Sequence, residues 1–144
     1  MNMIGKQINI LVRQFNLYLN HELSELNVSA TEILYLASLY QEDGLTQDDL
    51  ASEYVVDKAA VARTVSKMED KGLITRKDNP KNRRQKQLFL TEKARKIKPE
   101  LQNVQNQWLM IMTEDEDAGL TKELSSYLDR IVNRALSVNQ KEAE

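Results

Sequence analysis

Positive side chains are the first residues here whose types and spacing could do chemistry, because they are gathered rather than spread. The chain of 144 residues carries 20 Lys and Arg and 22 Asp and Glu. Residues 57–100 hold 14 of the basic and 6 of the acidic residues, a net of +8. The rest holds 6 basic and 16 acidic residues, a net of −10, so the formal −2 of the whole chain conceals a basic block. Such a block is the electrostatic footprint of a phosphate-backbone partner. The plainer reading is a solvated basic face, which the concentration on one segment of an otherwise acidic chain disfavours.

Inside the block, Val61, Val65 and Met68 recur at helical period and make one apolar face. The helix they imply opens at Asp57-Lys58 and closes near Lys71-Gly72. Ala59, Ala62, Arg63, Ser66 and Lys67 fall on its other face, with Lys58 at the margin. Small or basic outward residues suit a helix that must approach an anionic surface closely. Ile74-Thr75-Arg76 and Gln87-Leu88-Phe89-Leu90 read as two strands, joined by a tip that holds Asp78-Asn79-Pro80-Lys81-Asn82-Arg83-Arg84.

Stepping outward, the elements that must position these groups are helices. Ile4, Ile8, Leu11, Phe15 and Leu19 form a stripe on a first helix expected to end near Leu26-Asn27. Ser29 with Glu32 fits a capping box for a second, largely apolar helix, and Gly44 follows as its break. Thr46 with Asp49 is a weaker variant of the box and starts a third. Val28/Ile33, Leu45/Leu50 and Val56/Val61 have the spacing of hydrophobic staples. Thr91 is placed to cap a long helix running to about Thr113, in which Pro99 removes a hydrogen bond and bends the axis. A last helix is expected from about Leu120 to Ser137, with Leu124, Leu128, Ile131 and Ala135 inward and a frayed polar tail after it.

Two helices, a turn and a basic hairpin describe a winged helix-turn-helix, with the helix pair at 46–69 and the wing at 74–90. Such a unit lays its second helix in the major groove of double-stranded DNA. On that logic residues 58–67 face base edges, while Thr46 and Gln47 meet phosphate from a helix N-terminus. Arg63 pairs with guanine or, equally, with phosphate. Ala59 and Ala62 touch thymine methyls or act as spacers, and Ser66 and Lys67 meet the backbone. Lys81 lies in the basic tip, and Arg83 or Arg84 there suits a narrow minor groove.

Composition narrows the rest. At 41% hydrophobic and 29% charged residues the chain is globular, and 4 Gly and 2 Pro argue for long helices over a turn-rich β fold. The expected class is mainly α with a small β-hairpin wing. No cysteine is present and His21 is the only histidine, so the common nucleophile pairs of enzymes are missing. The acidic run at residues 114–117 lacks the spacing of a cation loop and reads as solvated charge. No cofactor or metal is called for. The N-terminal stretch has no signal-peptide core and no run reaches membrane-span length, so a cytoplasmic protein without a membrane partner is expected.

The segment LASEYVVDKAAVARTVSKMEDKGLITRKDNPKNRRQKQLFLTEKARK resembles the MarR/SlyA family of winged-helix regulators. The matching features are DKAAVARTVSKMEDKGLI as recognition helix, DNPKNRR as wing and LFLTEKARK as exit into the long helix. The resemblance implies a homodimer formed through residues 1–27 and 92–138, flanking a DNA-binding region at 29–91. It implies a transcription regulator, generally a repressor, on a roughly palindromic operator. It also implies a small phenolic or aromatic effector, in a crevice that Arg13, Tyr18, His21 and Tyr35 could line, although packing or surface roles suit those four better. Two positions depart from the family. Asn82 stands where an acidic residue usually steadies the wing arginine, and Ala94 stands where Gly is common. The rival reading is a winged helix used as a protein-binding module, against which the exposed Lys58, Arg63 and Lys67 argue.

Overall fold

A computed structural model of the protein describes residues 3–114 and 117–142. The order is α1 (Ile4–Glu22), a 3-10 turn (Ser24–Leu26), α2 (Ala30–Gln41), α3 (Gln47–Tyr54), α4 (Lys58–Asp70), β1 (Ile74–Asp78), β2 (Lys86–Leu90), α5 (Glu92–Met112) and α6 (Ala118–Glu142). The chain divides into two compact units, residues 1–106 and residues 107–144. Among the described residues no helix is long and apolar enough to cross a membrane.

Helix starts follow their caps. Ser29 Oγ accepts from the Glu32 N–H at 3.2 Å and the Glu32 carboxylate accepts from the Ser29 N–H at 2.9 Å, a full capping box. Thr46 and Asp49 close the same reciprocal pair, so the box expected to be weaker is complete. Asp57 caps α4 through the Ala60 N–H, and Thr91 caps α5 through the Ala94 N–H. Of the three staples, Val56 stays exposed and only Val61 beneath it is buried.

Helix ends departed further from expectation. α1 stops at Glu22, short of Leu26-Asn27; a separate 3-10 turn follows over Ser24–Leu26 and is closed by Asn27 at a left-handed φ of 52°. α6 runs past Ser137 to Glu142, a stretch that holds no Gly or Pro to interrupt it. α4 closes in a Schellman motif: the Leu73 N–H bonds the Met68 carbonyl, the Gly72 N–H bonds that of Glu69, and Gly72 supplies the φ of +71°.

The core of the first unit lies under α4. Val61, Val65 and Met68 are fully buried with Leu36, Leu50 and Leu88. α2 is central, with Ile33, Tyr35, Leu36 and Leu39 all buried. α1 reaches this core only at its C-terminal end: Leu19 is buried and Phe15 packs against the cluster, whereas Ile4, Ile8 and Leu11 are exposed. In the second unit the expected inward face of α6 is outward in the single chain. Leu124 and Leu128 are 53% and 44% exposed, Ala135 is exposed and Ile131 half-buried. Inward positions on a helix need a covering element, and no element described within that unit covers these.

The wing is antiparallel, with Ile74 opposite Leu90 and Asp78 opposite Lys86. β2 is held on its other edge too. The Gly44 N–H bonds the Leu88 carbonyl at 2.9 Å, the Leu88 N–H bonds the Leu45 carbonyl at 2.8 Å, and Thr46 bridges Gln87. Gly44 is needed there: its φ is +91°, and a Cβ would stand 3.2 Å from the Phe89 ring.

Candidate nucleic-acid interface

The outward face of α4 is built as the spacing implied. Burying Val61, Val65 and Met68 turns Ala59, Arg63, Ser66 and Lys67 to solvent, with Ala62 half-buried beside them. Arg63 and Lys67 enter no ion pair and no side-chain hydrogen bond among the described residues. The same holds for the side chains of Lys81, Arg83 and Arg84 at the wing tip.

Other cations of the basic block are engaged internally. Lys71 Nζ meets the Glu32 carboxylate at 2.8 and 3.0 Å, and Glu32 is 1% exposed. Arg76 pairs with Glu69 at 2.9 Å, Arg95 with Asp43 at 2.7 Å, and Lys86 with Asp78. Lys77 lies 4.8 Å over the Phe89 ring. The block thus separates into cations that hold the fold and cations that point at nothing in the chain.

The wing tip is two consecutive turns, each led by an asparagine. Asn79 Oδ1 accepts from the Lys81 N–H at 3.0 Å, and Asn82 Oδ1 accepts from the Arg84 N–H at 3.1 Å. Asn82 therefore orders the backbone beneath Arg84, and an uncharged amide suffices for that task.

Thr46 is a correction. It is 7% exposed. Its hydroxyl donates to Asp49 Oδ2 and accepts from the Asp49 N–H, while its own N–H also bonds Asp49. A group so occupied is a cap, not a contact surface. Gln47 and Arg84 line one cleft of about 230 Å³ with Asp48, Arg76, Gln85 and Lys86.

Asp48 and Gln85 escaped sequence reasoning. Asp48 Oδ2 accepts from Gln85 Nε2 at 2.6 Å, and its Oδ1 lies 3.2 Å from Lys58 Nζ. Lys58 is thus partnered but accessible. Nothing in the local pattern signals contacts between residues 37 apart.

Of the four crevice candidates, Tyr35 is buried with its ring 5.4 Å from that of Tyr54, and burial raises the pKa of both phenols. His21 is exposed beside Glu22, and Arg13 is exposed.

Comparisons with known proteins give this arrangement its relatives. A family model described as the MarR family matches residues 28–86. An uncharacterized HTH-type transcriptional regulator of Bacillus subtilis, YybA, is 30% identical over 134 residues, covering 93% of this chain and 87% of its own. A MarR transcriptional regulator from Methanosarcina mazei superposes with a TM-score of 0.86 at 29% identity, covering 94% of this chain and 98% of that one. A MarR-family regulator from Listeria monocytogenes, solved in complex with a 26mer DNA, gives a TM-score of 0.87 at 24% identity, over 93% of this chain and 89% of that one.

Proposed function

We propose that this chain, which belongs to the MarR family of DNA-binding, winged-helix transcription regulators rather than to any enzyme class, acts as a homodimer that represses transcription from a roughly palindromic operator. α4 enters the major groove, with Arg63 at a base edge or phosphate, Ala59 and Ala62 against thymine methyls or as spacers, and Ser66 and Lys67 on the backbone. Gln47 presents its side chain and the N-terminus of α3 to phosphate, joined by Lys58. Lys81, Arg83 and Arg84 follow the neighbouring minor groove.

One observation carries this reading. Among the described residues Arg63, Lys67, Lys81, Arg83 and Arg84, on α4 and the wing tip, enter no ion pair, while Lys71, Arg76, Lys86 and Arg95 of the same block are neutralised within the fold. Unpaired guanidinium and ammonium groups concentrated on a helix and a hairpin tip are what releases counterions from a duplex. The Listeria monocytogenes relative on its 26mer DNA lends the same reading a precedent.

The dimer rests on the exposed apolar residues of α1 and α6, which a second copy would cover. Relief by a small aromatic acid is supported by a cleft of about 190 Å³ between α2 and α5, lined by Ile33, Tyr40, Lys98, Leu101 and Gln105. Lys98 Nζ sits 5.2 Å over the Tyr40 ring there, a cation beside an aromatic face.

The test is affinity for duplex DNA as a function of salt. Log affinity should fall steeply with log salt, and Arg63→Ala or Arg84→Ala should each shallow the slope by about 1. A flat response in the wild type would overturn the reading in favour of a protein-binding winged helix.

A further inference from the structure

Asp48 is the one carboxylate among the groups lining the cleft between α3 and the wing. A negative charge amid phosphate-seeking cations opposes the activity proposed above, so its presence calls for a compensating role. It does not serve to neutralise Arg76 or Lys86, which have carboxylates of their own in Glu69 and Asp78, and it makes no ion pair with Arg84. Its two oxygens do different work. One accepts from Gln85 at the base of the wing tip, and the other faces Lys58, the first residue of α4. A single carboxylate on α3 thereby joins the head of the reading helix to the hairpin.

We propose that Asp48 is a positioning residue for duplex recognition: it fixes the wing against α3 through Gln85 and holds Lys58 back until phosphate is close enough to compete for it. The inference rests on the duplex-binding reading above. The Lys58 pair is solvent-exposed on both sides, with 76% and 40% of the side chains accessible, and such pairs are easily exchanged. The Gln85 bond at 2.6 Å is the firmer tie, because a carboxylate acceptor strengthens it. On a well-docked duplex Lys58 passes to phosphate and adds a contact. On a loosely held one it stays with Asp48 and adds none. Asp48 thus lowers adhesion to arbitrary DNA more than it lowers binding to a site that seats the whole surface.

Two substitutions separate the halves of this role in the full-length protein. Asp48→Asn keeps an acceptor for Gln85 and removes the charge; Asp48→Ala removes both. On a mixed-sequence duplex, Asp48→Asn should bind about 5-fold tighter at low salt, with a slope steeper by about 1 from the added Lys58 contact. Amide exchange at residues 81–85 should stay at the wild-type rate in Asp48→Asn and rise severalfold in Asp48→Ala. Gln85→Leu should reproduce that rise without changing the slope. Unchanged or weaker binding by Asp48→Asn would overturn the restraint on Lys58. Wild-type exchange rates in both Asp48→Ala and Gln85→Leu would overturn the tether. A wild-type protein that fails to bind duplex at any salt would sink the parent reading, and with it the restraint, while the exchange rates still judge the tether.

Discussion

The winged region and α6 solve opposite problems with similar residues. Around α4 the apolar side chains are hidden and the unpaired cations are shown; along α6 the leucines themselves face water. The first arrangement is complete within one chain: among the described residues no buried side-chain polar atom lacks a hydrogen-bond partner. The second leaves Leu120, Leu124 and Leu128 on one helix as a contiguous apolar stripe, which the homodimer proposed above would cover. One region is therefore expected to depend on its own packing, and the other on a second copy.

That contrast can be broken most forcefully at α6. Leu124→Glu combined with Leu128→Glu should yield a particle of one chain's 16.6 kDa in sedimentation, where the wild type, as the dimer proposed above, should show twice that. The same variant should lose about 100-fold or more in affinity for a two-half-site duplex, because the second recognition helix no longer arrives tethered to the first. A wild-type mass persisting in the variant would refute the contrast. Inside the winged unit, Leu36→Ala should cost about 3 kcal/mol in denaturant unfolding, whereas Leu120→Ala in the monomeric background should cost under about 0.5 kcal/mol. Similar costs at both positions would mean that α6 is already covered.

A smaller effect is expected at the Glu32–Lys71 pair. Glu32→Gln keeps the cap on α2 but leaves Lys71 without its charge partner, and should cost about 2 kcal/mol, below the range for a fully enclosed pair because Lys71 keeps 25% of its side chain exposed. Tyr40 offers a pH test. Burial pushes its phenol from 10.0 up to about 12, and its hydroxyl donates to the Ala94 carbonyl. The folded state holds that proton more tightly than the unfolded chain does. Its contribution is therefore whole below pH 10 and is lost as pH rises towards 12. Tyr40→Phe should flatten the alkaline unfolding profile across that window. A small change of the opposite sign is expected at Val55, a β-branched residue at a left-handed φ of 52° in the turn between α3 and α4. Val55→Gly should stabilise by about 0.5–1 kcal/mol in thermal unfolding, the steric relief exceeding the entropy glycine adds to the unfolded chain.

Much of this was legible in the sequence because it is written locally. The caps at Ser29, Thr46, Asp57 and Thr91 announce four helices from within three residues of each start. The face of α4 follows from the 3.6 period alone. What stayed hidden depends on residues brought together by the fold. Lys71 and Arg63 look alike in the chain, and only Glu32, 39 residues upstream, marks Lys71 as structural. The helix N-terminus at Thr46 attracts anions, and Asp49, three residues on, already fills that role. The apolar period of α6 is plain in the chain, but a period cannot say whether anything covers it, and Leu124 and Leu128 face water.

The double support of β2 has one more consequence. With Gly44, Leu45 and Thr46 on one side of β2 and β1 on the other, the margin of the wing left open among the described residues is the outer side of β1. That five-residue strand, Ile74–Asp78, carries Arg76, Lys77 and Asp78. A short margin with three charged side chains in a row cannot easily zip onto another hairpin, so this sheet is protected from growing by strand addition at the place where it must stay available.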